Sequence, residues 1–288
     1  MAEFRFNFGE PDDDASDGSK CEGDKGLGNI NINANKTTAV EVCWIPSDRH
    51  LDVQKLQKKQ HTFGKHTLLT VTTAAVEDYL LQQKKEETCE VVQAITGHSD
   101  LVAGQYEGGL KVWECSIDLC EYLADCDLPV EGGKVLELGC GGGLPGMLAT
   151  KMGAASVHFQ DFNQEVLEVY TMVNLVLNNI DRSSCAFFAG DWDSFASLAD
   201  SVDNRYDLIL TSETIYNVDS YPKLLRVFSL LLTKSGVVLV AAKCDYFGVG
   251  GSVPSFIQYI QANGQFEVET VKHINTGVPR KILQVTRA

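Results

Sequence analysis

The stretch Lys134-Val-Leu-Glu-Leu-Gly-Cys-Gly-Gly-Gly-Leu-Pro-Gly146 joins a short apolar run to a dense cluster of glycines. Val135, Leu136 and Leu138 are typical of a strand that is buried on both faces of a parallel sheet. The glycines allow positive φ angles and leave room for a ligand beside the main chain. Pro145 suits the first turn of a helix. The stretch therefore predicts a strand, a glycine turn and a helix that together form a cofactor site.

The glycine cluster matches two cofactor-binding patterns. Gly141-x-Gly143-x-x-Gly146 satisfies the dinucleotide fingerprint, which by itself is a weak signal. The acid in Glu137-x-Gly139-x-Gly141-x-Gly143 resembles instead the first motif of the seven-stranded S-adenosylmethionine-dependent methyltransferases. That cofactor carries a sulfonium cation, so a nearby carboxylate is electrostatically favourable. The alternative is that Glu137 caps backbone amides at the end of the strand.

Strands and helices alternate after the glycine turn. A helix is predicted over residues 144–152, followed by a second strand over 156–160 that ends at Asp161. Later apolar runs predict three further strands and a C-terminal pair, which must be antiparallel because its connection is short. These strands lie at residues 185–189, 206–211, 237–241, 266–271 and 282–285. The pattern predicts an α/β fold with a seven-stranded sheet, parallel except for its C-terminal pair.

Acidic residues follow several of these strands. Ligands bind outside the carboxyl ends of the strands in open α/β sheets, so we expect these acids to converge on one crevice. They are Glu137, Asp161, Asp191 and Glu213. Asp161 lies 20 residues beyond Gly141, where this class of fold places an acid that accepts hydrogen bonds from ribose hydroxyls. Asp191 and Trp192 suit an adenine ring, although Asp191 is equally suited to be a helix N-cap.

The chain divides into three parts by composition. Residues 1–50 are acidic and rich in Gly, Ser and Asn, and we expect them to be a disordered tail. Residues 51–105 predict an N-terminal extension or small lobe, and residues 106–288 predict the main domain. Trp113, just upstream of the glycine strand, is either a core residue or a wall of the cofactor pocket, and the two interpretations are compatible.

The net charge of −15, from 39 acidic and 24 basic residues, argues against a nucleic-acid backbone as the main partner. It is compatible with a basic protein substrate, and equally with a charge that only keeps the chain soluble. Nine cysteines without a CxxC pair suit a reducing compartment, and no recognised zinc spacing is present, so we expect no metal. The sequence contains neither a membrane-spanning run nor a signal peptide, so an intracellular protein is expected. We also expect a monomer.

Several motifs together resemble the histidine protein methyltransferases. They are Phe4-Arg-Phe-Asn-Phe, Tyr106-Glu-Gly-Gly-Leu-Lys-Val-Trp-Glu-Cys, the glycine strand, Val157-His-Phe-Gln-Asp-Phe-Asn, Ala189-Gly-Asp-Trp, Leu210-Thr-Ser-Glu-Thr-Ile-Tyr-Asn and Tyr246-Phe-Gly-Val-Gly-Gly. The specific match covers residues 100–288. The resemblance implies S-adenosylmethionine as the cofactor and methylation of a histidine ring nitrogen on a large-subunit ribosomal protein, the third L protein in the usual naming. It implies a cytoplasmic location, with the nucleus or nucleolus as a second one.

The same resemblance assigns residues to the two sides of the site. The cofactor-side residues are Trp113, Glu114, Glu137, Gly139, Cys140, Gly141, Gly143, Asp161, Phe162, Asn163, Gly190, Asp191, Trp192 and Ser212. Glu213, Thr214 and Tyr216 fall on the substrate side, and Glu213 and Tyr216 are the predicted catalytic residues. One departure is Gly142, which stands where the family often has a small polar residue.

Glu213 is the predicted acceptor for the N–H of the far ring nitrogen, with Tyr216 and Phe247 on either side of the ring. The alternative is that Glu213 caps the following helix. Glu213-x-x-Tyr216 also resembles a wider group of protein methyltransferases, most of which modify lysine, so a lysine acceptor stays open. A non-catalytic adaptor and a nicotinamide oxidoreductase are the rival classes; the intact glycine turn argues against the first, and the C-terminal strand pair and the Glu137 motif argue against the second.

Overall fold

The structure is a computed structural model, and it describes residues 38–43, 55–83, 90–126, 128 and 130–288. The strands in these residues are β1 (Val40–Glu41), β2 (Lys58–Phe63), β3 (His66–Val71), β4 (Lys134–Leu138), β5 (Ser156–Asp161), β6 (Cys185–Ala189), β7 (Tyr206–Ser212), β8 (Leu232–Lys243), β9 (Phe266–Ile274) and β10 (Arg280–Arg287). The α-helices are α1 (Thr73–Gln83), α2 (Glu90–Thr96), α3 (Glu114–Asp125), α4 (Leu144–Lys151), α5 (Gln164–Val166), α6 (Met172–Leu177), α7 (Trp192–Ser201), α8 (Tyr221–Leu231) and α9 (Val253–Asn263). Among the described helices, none has the length and apolar character that a membrane crossing requires.

The central sheet of the described residues has the strand order β1-β6-β5-β4-β7-β8-β10-β9. Strands β4 to β8 run parallel, and β10 pairs antiparallel with both β8 and β9. This confirms the predicted α/β class and the antiparallel C-terminal pair. Strands β8, β9 and β10 are longer than predicted, because their ladder pairing extends into polar residues that carry no apolar signal.

The sheet has eight described strands rather than the predicted seven. The extra strand is β1, in which Val40 lies opposite Ala189 and Glu41 lies opposite Phe188 of β6. This two-residue strand satisfies backbone groups at the edge of β6, and it is too short to produce a periodic sequence pattern. It falls inside residues 1–50, which we expected to be a disordered tail. Most of that tail, including Phe4-Arg-Phe-Asn-Phe, lies outside the described residues.

The hairpin β2–β3 is hydrogen-bonded to two asparagine side chains, one in α6 and one directly after it. Asn178 Oδ1 accepts a hydrogen bond from Leu69 N at 2.8 Å, and Asn174 Oδ1 accepts one from Val71 N at 2.8 Å. Asn174 Nδ2 also donates to Gly142 O at 2.9 Å. The same side chain therefore joins the hairpin to the glycine turn. The division of the chain at residues 50 and 105 stays a prediction.

A π-helical turn, Leu167–Thr171, interrupts the helical stretch between α5 and α6. Such turns are rare and occur often at functional sites. Thr171, at its end, donates its hydroxyl to Gly141 O at 2.6 Å. The π turn therefore brings Thr171 and Asn174 into line to hold the carbonyl groups of the glycine turn.

Candidate active site

A cavity of about 490 Å³ opens at the carboxyl ends of the parallel strands. Its size falls within the range of small-molecule and cofactor sites. The predicted site residues that line it are Trp113, Gly139, Cys140, Gly141, Asp161, Phe162, Gly190, Asp191, Trp192, Ser212, Glu213 and Tyr216. The structure thus brings most of the predicted residues together, as the topology of an open parallel sheet requires.

The glycine turn after β4 has no space for side chains. Gly139 and Gly141 have φ angles of 60° and 48°. A Cβ at Gly139 would lie 2.8 Å from Thr214 Cγ2, and one at Gly141 would lie 2.9 Å from Gly109 O. Only glycine therefore lets this turn pass so close to its neighbours while it forms the floor of the cavity.

Asp161 is buried at the end of β5 and organises the turn beside it. Its Oδ2 accepts a hydrogen bond from Gly141 N at 2.9 Å, and its Oδ1 accepts one from Asn163 N at 3.2 Å. Burial raises the pKa of Asp161 to about 6, although these backbone hydrogen bonds act in the opposite direction. The carboxylate therefore positions the glycine turn in addition to lining the cavity.

Asp191 and Trp192 follow β6 on the same side of the cavity. Asp191 caps α7 by accepting a hydrogen bond from Asp193 N at 2.9 Å, and it pairs with Lys223 Nζ at 2.6 Å. The N-cap alternative is therefore observed, in a residue that also lines the cavity. Trp192 Nε1 donates to Gln160 Oε1 at 2.8 Å, which fixes its ring at the cavity wall.

Trp113 is the residue immediately before α3 and forms part of the cavity wall. Its Nε1 donates to Gly108 O at 3.0 Å, which orients the half-buried ring. The ammonium groups of Lys111 and Lys243 lie 4.7 and 5.1 Å from the ring centroid. Both distances are within the range of cation–π interactions.

Glu213 follows β7 and presents a carboxylate whose side chain is 9% exposed. Its Oε2 accepts a hydrogen bond from the Tyr246 hydroxyl at 2.7 Å. Its Oε1 lies 3.4 Å from Lys243 Nζ and accepts no hydrogen bond from an N–H or O–H group of the described residues. Glu213 does not cap a helix, since the following turn is capped by Asn217. The structure therefore rules out the capping alternative.

Tyr216 lies beside Glu213 on the cavity wall. Its hydroxyl donates to Glu107 Oε2, and its ring meets Tyr246 edge-on with 6.3 Å between the ring centroids. Burial, followed by the neighbouring Glu107 carboxylate, raises the pKa of Tyr216, so the phenol keeps its proton. Phe247 is 85% exposed at the rim of the cavity. Contact of Tyr216 and Phe247 with an acceptor ring stays a prediction.

Four predicted cofactor residues do not reach the cavity wall. The clearest is Glu137, which is 2% exposed and whose Oε2 accepts a hydrogen bond from Gly146 N at 2.8 Å. This is the amide-capping alternative, and it stabilises the first turn of α4. Residues alternate between the two faces of a strand, so Glu137 shares a face of β4 with Val135, which packs against α4. Burial raises its pKa well above the usual value.

The other three are held by contacts with the protein itself. Gly143 is the N-cap of α4, with a φ of 73°, and a Cβ there would lie 2.9 Å from Thr171 Cγ2. Asn163 Nδ2 donates to Gln105 O at 2.7 Å. Glu114 Oε2 lies 3.8 Å from Lys243 Nζ. These residues do not line the cavity in this structure, and their contact with the cofactor stays a prediction.

Lys243 and Glu107 are among the charged cavity residues that the sequence predictions do not include. Lys243 ends β8, and the same rule about carboxyl strand ends that selected Glu213 would have found it. Glu107 lies in the segment before α3, where it accepts hydrogen bonds from Tyr216 and from Gly104 N. Glu107 lies inside the quoted motif that begins at Tyr106, but the motif assigned it no role, because only the folded chain brings that segment next to Tyr216.

The residues of this cavity fit an adenosyl cofactor. The two turn glycines leave a backbone cradle that any Cβ would fill, and the buried Asp161 carboxylate lies at its edge. Trp113 and Trp192 supply aromatic surface on the walls. We expect Asp161 and the glycines to hold the nucleoside, and we expect Glu213 and its neighbours, at the ends of β7 and β8, to face the acceptor.

Comparison with known proteins agrees with this geometry. A family model described as "Lysine methyltransferase" matches residues 100–248. The histidine protein methyltransferase 1 homolog of Bos taurus is 37% identical over 261 residues, which cover 82% of this chain and 70% of that protein. A protein N-lysine methyltransferase of Xenopus tropicalis is 30% identical over 136 residues, which cover 47% of this chain and 60% of that protein.

The fold has counterparts among solved structures. A 16S rRNA methyltransferase of T. thermophilus, in complex with AdoMet and guanosine, matches with a TM-score of 0.51 and 16% identity. The match covers 81% of this chain and 51% of that one, and it bears on the fold alone. With the cavity, the family model and the cattle relative taken together, the cofactor is S-adenosylmethionine, and the chain belongs to the histidine protein methyltransferase family of protein methyltransferases.

Proposed function

We propose that this protein transfers the methyl group of S-adenosylmethionine to a ring nitrogen of a histidine in a large-subunit ribosomal protein. The observation that carries the proposal is the buried Glu213 carboxylate on the acceptor side of the cavity. Its Oε2 is engaged by the Tyr246 hydroxyl, while its Oε1 accepts no hydrogen bond from an N–H or O–H group of the described residues. A buried carboxylate oxygen without such a bond can accept one from an entering group, and the N–H of an imidazole is a suitable donor.

The chemistry of the acceptor favours histidine at neutral pH. S-adenosylmethionine supplies the methyl group on a sulfonium centre, so the protein has chiefly to align the acceptor. An imidazole, with a pKa of about 6.5, is largely neutral and nucleophilic at pH 7. A lysine, with a pKa of about 10.4, must first lose a proton. Glu213 would fix the ring tautomer through the far N–H and balance the positive charge that develops on the ring.

The rim of the cavity supports a basic protein as the partner. Asp219 and Asp245 line the cavity beside the exposed side chains of Phe247 and Val278. Acidic groups interspersed with exposed apolar side chains suit a segment that carries both lysines or arginines and apolar residues. The net charge of −15 acts in the same direction. A ribosomal substrate corresponds to a location in the cytoplasm and in the nucleus or nucleolus, which we propose as well.

Mass spectrometry of the methylated product tests this proposal. We expect the protein, incubated with unmethylated large-subunit ribosomal proteins and isotopically labelled S-adenosylmethionine, to place label on a histidine of one basic protein. Label on lysine alone would contradict the histidine assignment and favour the activity described by the matching family model. Cofactor binding with no label on any protein would favour the adaptor.

The variant Glu213→Gln tests the role of the carboxylate. The amide still contacts the ring but cannot balance the charge on the imidazolium, so we expect the rate to fall about a hundredfold or more. Calorimetry should find S-adenosylmethionine affinity within about threefold of the original protein, because the residue lies on the acceptor side. Glu267→Gln, which removes an exposed carboxylate of β9, is the matched control. A rate for Glu213→Gln equal to that control would refute the assigned role.

A further inference from the structure

Lys243 holds a buried ammonium group at the end of β8, on the wall of the cavity. Its Nζ lies 3.4 Å from Glu213 Oε1 and 3.8 Å from Glu114 Oε2. It also lies 5.1 Å from the ring centroid of Trp113 and 6.0 Å from that of Tyr246. Two carboxylates and two aromatic rings therefore fix this cation at one place.

The position of Lys243 in the sheet puts it on the acceptor side. The ends of β4, β5 and β6 carry the glycine turn, Asp161 and the Asp191–Trp192 pair, which form the cofactor half of the cavity. β7 and β8 lie on the other side of β4; Glu213 directly follows β7, and Lys243 ends β8. Lys243 and Glu213 are in direct ionic contact, so a group that reaches Glu213 also approaches the ammonium.

A fixed cation in this half distinguishes a charged acceptor from a neutral one. Like charges at close range disfavour the charged form of an entering group. A lysine side chain arrives as an ammonium and would face Lys243 and the sulfonium of the cofactor. A neutral imidazole carries no net charge and meets neither repulsion, while its N–H is still accepted by Glu213.

The carboxylate by itself would have the opposite preference. Glu213 without a neighbouring cation is a negative charge in a half-enclosed cavity, and such a charge attracts ammonium groups. Lys243 offsets that charge, and it leaves the hydrogen-bond acceptor of Glu213 in place. Lys243 lowers the formal charge of the cluster that it forms with Glu213 and Glu114 from −2 to −1, so this half of the cavity attracts an ammonium group less than the two carboxylates alone would.

We propose that Lys243 is a specificity-determining residue, which excludes ammonium side chains from the acceptor half and so selects a neutral ring. This inference rests on the proposed histidine acceptor and identifies what would separate this chain from a lysine-modifying enzyme of the same fold. If Lys243 only held Glu213 in place, its substitution would change the binding of all acceptors alike.

Binding of two small probes to the protein saturated with S-adenosylhomocysteine tests the proposal directly. The probes are 4-methylimidazole and n-butylammonium, followed by NMR titration at pH 7.5. For Lys243→Met we expect butylammonium to bind at least tenfold more tightly than to the original protein, and methylimidazole affinity to change by less than threefold. Lys243→Arg should keep the original preference. Lys234→Met, an exposed lysine in the same strand, is the matched control and should change neither affinity.

Product analysis with ribosomal proteins and labelled cofactor gives an independent measurement. For Lys243→Met we expect the ratio of methylhistidine to methyllysine to fall at least tenfold relative to the original protein. Equal losses for both probes, or an unchanged preference, would overturn the selection role. A product from the original protein that is methyllysine alone would instead overturn the proposed function. If Lys243→Met does not bind S-adenosylhomocysteine, the same comparison is made with Lys243→Gln.

Discussion

Glu213 combines a left-handed backbone conformation, with a φ of 58°, and a buried carboxylate at the end of β7. A residue with a Cβ in this region is strained by about 1–2 kcal/mol. The surrounding structure compensates, because Glu213 N donates to Ala241 O at 3.0 Å and the Tyr246 hydroxyl holds the carboxylate. Such strain is typical of functional positions. The conformation here places the side chain on the wall of the cavity.

Asp161 provides a pH-dependent prediction at the same scale. Ribose hydroxyls favour the charged carboxylate, and the pKa of Asp161 is raised to about 6 by burial, so cofactor binding must release a proton below that pH. Affinity should therefore be nearly constant above pH 7 and fall as the pH drops through 6. We expect S-adenosylhomocysteine to bind about tenfold more weakly at pH 5 than at pH 7 by calorimetry.

Asp161→Asn isolates this titration. The amide keeps only one acceptor oxygen, so either Gly141 N or Asn163 N would face an N–H group, and the variant should bind the cofactor more weakly at every pH. Its affinity should nevertheless stay level between pH 5 and pH 7, because the titrating group is gone. The same tenfold fall in the variant would assign the pH dependence to another group.

At the scale of elements, the helical stretch α5–α6 joins the glycine turn to the hairpin β2–β3. Thr171 and Asn174 donate to the turn carbonyls of Gly141 and Gly142, and Asn174 and Asn178 bind the backbone of β3. The interrupting π turn sets the register in which these side chains face the turn. The hairpin and the cofactor site are therefore mechanically coupled through one stretch of helix.

Asn174→Ala tests that coupling. The substitution leaves the buried Val71 N–H and Gly142 carbonyl without partners, and each such loss costs about 1–3 kcal/mol. We expect the free energy of unfolding, measured by urea titration, to fall by about 2 kcal/mol or more, and cofactor affinity to weaken as well. Gln164→Ala, an exposed position of the same stretch, should stay within about 0.5 kcal/mol. Equal effects at the two positions would refute the coupling.

At the scale of the whole molecule, Arg280 in β10 pairs with Asp118 in α3. Arg280 Nη2 donates to Asp118 Oδ1 at 3.2 Å, Arg280 Nε donates to Oδ2, and each side chain is 10% exposed. Asp118 lies on the helix that follows Trp113, and Arg280 begins the last antiparallel strand. The pair therefore joins the C-terminal hairpin to the segment that forms a wall of the cavity.

Asp118→Ala leaves the Arg280 guanidinium buried without its carboxylate. Removing one partner of a buried pair costs about 3–5 kcal/mol, so we expect a loss of this size in the free energy of unfolding. Asp193→Ala breaks the exposed pair with Arg226 and should cost less than about 1 kcal/mol. Chemical denaturation of both variants compares them, and similar losses would show that burial of the Arg280–Asp118 pair contributes little.

The sequence by itself determined the parallel strands, the glycine turn and the acids after the strands. Each of these features is local: apolar runs identify buried strands, the glycines at 139 and 141 are required by positive φ, and strand ends place Asp161 and Glu213 at one edge. The antiparallel C-terminal pair was also predictable, because its connection is too short for a crossover. Each of these patterns is recognisable from neighbouring residues alone, without knowledge of contacts between distant segments.

The tertiary structure decided where the polar side chains point and what they contact. Glu137 was grouped with the acids that follow the strands, yet it caps α4, because its side chain lies on the face of β4 that packs against that helix. Glu107 reaches Tyr216 across 109 residues of chain, and β1 pairs with β6 from the far N-terminal part. Such contacts depend on how distant segments pack, and packing leaves no periodic signal in the sequence. The ion pair between Lys243 and Glu213 arises in the same way, from two strand ends that only the sheet order brings side by side.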